Sequence, residues 1–116
     1  MREFLKSAAK TSVMVIGDIM LDRYLFGDIK RKSTEAPIDI VDISDKKEKI
    51  GGAANVALSF KNLNANISLF GFVGNDLAGK KIISELKKNK ISTTGALIDG
   101  ITTLKTRIIT SRKKHL

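Results

Sequence analysis

The sequence has no cysteine and no tryptophan, and it has one proline, one histidine and one tyrosine in 116 residues. Without cysteine there is no disulfide framework and no thiolate metal site, which suits a reducing compartment. The single histidine, His115, sits near the end of the chain with no partner residue and is assigned no role. Aromatics are scarce and five of the six are Phe, so the core should be mainly Ile, Val, Leu and Ala. No apolar run approaches the ~18 residues of a membrane span, and residues 1–12 lack the apolar core of a signal peptide. The chain therefore reads as cytoplasmic, with no membrane partner.

At 42% hydrophobic residues, 116 residues suffice for one domain with a real core. The net charge of +9 raises the question of nucleic acid. The cations fall in separated groups at 30–32, 46–49, 80–81, 87–90 and 112–114, mostly with a carboxylate nearby. Lysine predominates and no aromatics are interleaved to stack bases. A solvated basic surface is the expectation, with no nucleic-acid partner. Such a surface still attracts anionic substrates such as sugar phosphates and nucleotides.

Val13–Ile16 is a short apolar run ending at Gly17, as expected of a strand buried on both faces of a parallel sheet. Residues 23–29 and 38–43 alternate apolar and polar and predict strands with one solvated face. Pro37 introduces the second of these, and residues 44–50 (SDKKEKI) read as a charged turn. A helix should start at Gly52, with Val56, Phe60 and Leu63 on its inner face beside Ala53 and Ala57. Asn64 stands where a left-handed cap residue is wanted. Residues 67–73 predict another buried strand, and Asn75 or Asp76 caps a second helix with Ala78, Ile82, Ile83 and Leu86 inward. Residues 96–98 and 102–110 complete the strands. Strand–helix–strand units mean an α/β fold with a parallel sheet, and the amphipathic strands form a separate small layer such as a lid.

Gly74–Lys81 (GNDLAGKK) nearly matches a phosphate-binding P-loop between strand and helix. It fails where Lys81 replaces the magnesium-binding Ser or Thr, and Asp76 would put a carboxylate into the phosphate cradle. A strand–turn–helix connection is the better reading. Asp18 and Asp22 follow the first strand, in the region where open α/β sheets collect ligands. Carboxylates there can accept hydrogen bonds from sugar hydroxyls, although a loop aspartate and a capping residue is the plainer alternative. Gly51 and Gly52 allow close backbone approach, and Asn55, one helical turn on, supplies a donor and an acceptor. Lys105 and Arg107 share a strand face, which suits either phosphate binding or two solvated cations; Arg31 is similar.

GGAANVA at 51–57, followed by Gly74 after a helix and a strand, resembles the amino-terminal signature of the ribokinase-like (phosphofructokinase-B type) sugar kinases. Asn64 stands where that signature has Gly or Ser. Within the family, residues 17–27 (GDIMLDRYLFG), 31–37 (RKSTEAP) and 102–107 (TTLKTR) look most like the heptose-7-phosphate kinases. Thr34 and Asp39 replace usual prolines, and Asn75 a frequent Asp. The resemblance covers roughly residues 12–116. It implies that Asp18, Asp22, Gly51, Gly52 and Asn55 contact the sugar, with Lys105, Arg107 and Arg31 near the substrate phosphate. The strands at about 23–43 and 102–110 would be a lid that also makes a homodimer contact.

The reaction implied is transfer of the ATP γ-phosphoryl to the anomeric hydroxyl of D-glycero-D-manno-heptose 7-phosphate, a step towards the ADP-heptose of lipopolysaccharide core. ATP and Mg2+ are the implied cofactors. The family's catalytic base sits in a Gly-Ala-Gly-Asp motif, absent from these 116 residues. The resemblance therefore predicts a truncated ribokinase-like domain, 1–116, with no catalytic residue and no ATP site of its own. Inactivity in isolation, and a homodimer or a complementing carboxyl-terminal chain, are the matching expectations. A kinase for another sugar or a nucleoside, and a non-catalytic sugar-phosphate binding or dimerisation module, are the alternatives.

Overall fold

The structure, a computed structural model, describes residues 1–111. His115 and the cationic group at 112–114 lie outside the described residues. Along the chain come α1 (Arg2–Lys10), β1 (Ser12–Ile16), β2 (Ile19–Lys32), β3 (Asp39–Gly52) and α2 (Ala53–Asn62). They are followed by β4 (Asn66–Val73), α3 (Leu77–Lys88), β5 (Ala96–Ile98) and β6 (Thr103–Thr110). The chain packs as two units. One comprises Met1–Leu21 with Ile50–Leu104, the other Asp22–Lys49 with the chain from Lys105 onward.

The first unit holds a sheet in the order β1-β4-β5. Both pairings are parallel, in register from Ser12↔Asn66 to Ile16↔Phe70 and from Gly71↔Ala96 to Val73↔Ile98. Parallel neighbours need a crossover, which α3 supplies between β4 and β5. Val15, Leu69 and Val73 from the sheet join Ala53, Ala54 and Ala57 of α2 and Ile82 and Leu86 of α3 in one core. Asn64 takes φ 62 just past α2, the left-handed conformation wanted there, and Asp76 caps α3 by accepting from Gly79 N at 2.8 Å.

Two expectations about this unit need correction. The runs at 13–16 and 67–73 predict burial on both faces. Instead Met14, Ile16 and Phe72 are 64%, 73% and 60% exposed. Both α2 and α3 pack on the face carrying Val15, Leu69 and Val73, and nothing among the described residues covers the other. The inner face of α2 is only partly the one expected, since Ala53 and Ala57 are buried but the larger side chains are not. Val56 and Phe60 are 45% and 37% exposed, whereas Ala54 and Ala57 are fully buried. Small side chains let the helix backbone approach the sheet closely, so tight packing takes precedence over the larger apolar stripe. Sequence reading also missed α1, which buries no residue and so has no inward stripe to detect.

The second unit is built on a sheet in the order β3-β2-β6. Residues 33–38 are too few for a parallel crossover, so β2 and β3 run antiparallel, and Ser33 N donates to Ile38 O at 2.8 Å. Both strands are 14 residues long and outrun the expected 23–29 and 38–43. Residues 44–50 are not a turn but the continuation of β3. Lys and Glu are poor strand formers, and this stretch is mostly solvated, so no apolar alternation betrays it. The ion pair of Arg23 Nε with Glu48 Oε2 at 2.8 Å ties it to β2.

The reassigned face of α2 can be checked by substitution. Ala57→Leu should lower unfolding free energy by about 1–3 kcal/mol through overpacking. Val56→Ala should change it by less than about 0.5 kcal/mol. Urea denaturation of the two variants distinguishes the faces, and the reverse ranking would restore Val56 to the core.

Candidate functional site

The expected site residues fall into two groups, one in each unit. In the first unit the chain leaves β1 at Gly17, whose N–H donates to Phe70 O at 3.1 Å. Asp18 follows, and its carbonyl accepts from Ala53 N, the first amide of α2, at 2.8 Å. Gly52 makes this contact possible. It adopts φ 60 and ψ −136, and a Cβ there would strike Asp18 O and come within 3.0 Å of Met20 Cε. Any other residue would be strained and would push the two segments apart. Gly51 is buried, while Asp18 and Asn55 are exposed, Asn55 on the first turn of the helix that Asp18 meets. This arrangement presents a carboxylate acceptor and an amide donor–acceptor to solvent, the polar equipment that hydroxyl groups require.

The second group lies on the β3-β2-β6 sheet. Asp22 is a residue of β2 rather than of a loop beyond β1, and it is 7% exposed. Lys105 Nζ on β6 lies 3.4 Å from Asp22 Oδ1. The angles do not make this a hydrogen bond, so Oδ1 has an ionic neighbour but no hydrogen-bond donor. Arg107 Nη1 donates to Tyr24 Oη at 3.1 Å, and its guanidinium carbon stands 5.4 Å from the Tyr24 ring centre. Lys49 on β3 places Nζ 5.5 Å from the same ring. Arg31 does not join this group. It pairs with Asp42 at 3.8 Å, nine residues along β2 from Asp22, or about 30 Å at the rise of a strand. Tyr24 and Lys49 were not singled out from sequence. The signal for Tyr24 was its place two residues after Asp22 on an alternating strand; Lys49 had none, because its segment was read as a turn.

At the carboxyl end of β4, the near P-loop has its own occupant. Asp76 Oδ1 accepts from Gly79 N at 2.8 Å and from Thr102 Oγ1 at 2.6 Å, and Oδ2 accepts from Thr102 N at 2.9 Å. Thr102 Oγ1 also accepts from Gly74 N at 2.8 Å. The carboxylate fills the turn that a phosphate would need, and it fastens the residue just ahead of β6. Hydrogen bonds from Thr102, side chain first and then backbone, and from Gly79 hold the Asp76 carboxyl below its ordinary value of 3.8.

The family pattern for pfkB family carbohydrate kinases matches residues 10–115, nearly the whole chain. The chain belongs to the pfkB family of carbohydrate kinases. Among curated proteins it is similar to the bifunctional protein HldE of Helicobacter pylori strain J99, 46% identical over 104 residues, and to that of Magnetococcus marinus, 44% identical over 106. These alignments take in 88% and 90% of the chain but 22% of each relative, so the chain spans about a fifth of the length of the proteins it matches. Among solved structures it shares its fold with a nucleoside kinase of Methanocaldococcus jannaschii, TM-score 0.69 at 20% identity. A ribokinase from Cryptococcus neoformans in complex with ADP gives 0.63, also at 20%. They align over 86% and 88% of this chain and 33% and 31% of their own.

The near P-loop does not fit the phosphates of the ATP that the pfkB family implies. Asp76 occupies the one phosphate-like turn, and no group of three His, Asp or Glu able to hold a metal occurs among the described residues. No helix among them is long and apolar enough to cross a membrane.

Two outcomes follow from the Asp76 clamp. Thr102→Val leaves the buried Gly74 N–H without an acceptor and should cost about 1–3 kcal/mol in denaturant unfolding. Asp76 has a folded pKa below its unfolded one, so its stabilisation is complete above about pH 4 and is lost as pH falls through the folded value. Thermal denaturation between pH 6 and pH 2 should therefore show an acid-labile component that Asp76→Asn removes; an unchanged acid slope in the variant would remove Asp76 from the account.

Proposed function

We propose that this chain carries the sugar-recognition portion of a kinase for a heptose 7-phosphate. In this reading, within the first unit, Asp18 and Asn55 bind sugar hydroxyls while Gly51 and Gly52 let the backbone approach the sugar; within the second unit, Asp22, Lys105 and Arg107 are suited to a phosphate group. The observation that carries the reading is the seating of Gly52 against the Asp18 carbonyl. That contact joins the acidic turn after β1 to the asparagine-bearing start of α2 and leaves both side chains open to a ligand. An isolated structural turn would need the glycine but not the two exposed polar groups beside it.

Membership of the pfkB family supports phosphoryl transfer to a sugar, with ATP as the donor. The choice of heptose phosphate rests on the segments 17–27, 31–37 and 102–107 and on the similarity to HldE proteins. The chain's own residues supply binding and orientation, which account for a large part of catalysis in phosphoryl transfer. No base or anion hole for the transferring group can be assigned to them, so the purified chain alone should not turn over. A cytoplasmic location agrees with ATP as the donor.

Calorimetric titration of purified 1–116 tests the reading. D-glycero-D-manno-heptose 7-phosphate should bind more tightly than ribose 5-phosphate or fructose 6-phosphate. Asp18→Ala and Asn55→Ala should each weaken it about 5–10-fold, the equivalent of one hydrogen bond. Equal affinity for all three sugar phosphates would replace heptose with a broader substrate class. ATP-dependent phosphorylation by the chain alone would overturn its inactivity.

A further inference from the structure

One face of the β3-β2-β6 sheet concentrates positive charge beyond the two cations, Lys105 and Arg107, already given a role. Successive outward positions of β2 on this face are Asp22, Tyr24 and Phe26. From β3, Lys49 stands by the Tyr24 ring at 5.5 Å and Lys47 by the Phe26 ring at 5.8 Å. From β6, Lys105 pairs with Asp22 and Arg107 bonds Tyr24. Of these four cations, only Lys105 is paired with a carboxylate among the described residues. Among the described residues Lys47, Lys49 and Arg107 have no ion-pair partner there, and their contacts are to rings and one hydroxyl.

The four cations are not equivalent. Lys105 neutralises a nearly buried carboxylate that has no hydrogen-bond donor. Moving Lys105 to a ligand would strand that charge, and an unpaired buried carboxylate is costly. Arg107 gives up nothing comparable, because its only partner among the described residues is neutral and its guanidinium keeps further N–H donors in a fork that matches a phosphate. Lys49 is equally free to move. The Tyr24 hydroxyl, which accepts from Arg107, still has its own proton to donate. Three donors from three adjacent strands therefore lie at or beside one ring.

We propose that Arg107, Tyr24 and Lys49 form a phosphate-monoester subsite, with Tyr24 holding Arg107 in place and Lys105 remaining on Asp22. The proposal rests on the reading that the ligand is a phosphorylated sugar, and it assigns recognition of the phosphate to a set that includes two residues with no earlier role. Lys105 becomes a positioning residue that keeps Asp22 compensated rather than a phosphate ligand. The ligand class is a phosphate dianion on a small polyol.

NMR titration of the 1–116 chain with inorganic phosphate, ribose 5-phosphate and D-glycero-D-manno-heptose 7-phosphate tests this. Each should shift the Tyr24 ring and Arg107 Nε signals. Lys49→Ala and Arg107→Ala should each weaken binding of all three about tenfold, and Tyr24→Phe about threefold, as expected for charged and neutral hydrogen bonds. Arg107→Lys should recover only part of the loss, because it keeps the charge but not the fork. Lys87→Ala, on α3, should bind as the parent chain does, and preserved signal dispersion verifies that each variant is folded. Phosphate binding that Lys49→Ala and Arg107→Ala leave intact would overturn the proposal, as would the absence of shifts at Tyr24 with any of the three probes. Heptose preference is a separate outcome. If all three ligands bind equally and all weaken in the variants, the subsite stands and the heptose reading falls. If heptose phosphate is preferred but the variants bind it normally, the reverse holds.

Discussion

The close passage of Gly52 beneath the Asp18 carbonyl is the constraint on which the first unit depends. It fixes where the chain returns from β3 and gives the first amide of α2 an acceptor. It also sets α2 over the sheet so that Ala54 and Ala57 are completely enclosed. A larger residue at 52 would move the helix start, and with it both the alanine contact and the placement of Asn55. Packing and the exposure of the Asn55 amide therefore draw on one backbone geometry.

A second fastening acts at the other end of β4. Asp76 gathers the start of α3 and the residue that leads into β6, and Thr102 closes the set through Gly74. The carboxylate sits where a nucleotide-binding turn would hold a phosphate, which explains why a near match in spacing carries a different function. Lys105 and Arg107 follow three and five residues later, on β6.

Much of this was legible in the residues. The short strand at 96–98, the inward set of α3, the left-handed Asn64 and the capping Asp76 all follow from local rules, because each depends on residues within a few positions of one another. Apolar size is a poor guide to the inner face of α2, because closeness to the sheet selects alanine over valine and phenylalanine there. The strand through 44–50 is hidden because its side chains are mostly charged and Ile50 alone among them reaches the core, too little to impose alternation. Of the site, Asp18, Gly52 and Asn55 announce themselves by spacing. The meeting of Lys49, Tyr24 and Arg107 does not, since it requires the order of three strands, and neither does the diversion of Arg31 to Asp42.

The pairing of β1 with β4 also has a consequence in time. Val13 finds its neighbour at Ile67 only after β2, β3 and α2 have been made. Roughly fifty residues must be synthesised in between, which at about 5–20 residues per second takes some ~3–10 s. Through that interval the first apolar segment has left the ribosome without the strand that completes it. The segment's partner during translation is therefore solvent, α1 or a chaperone, and the order of synthesis, not only the final contacts, governs how much of the chain reaches its folded state.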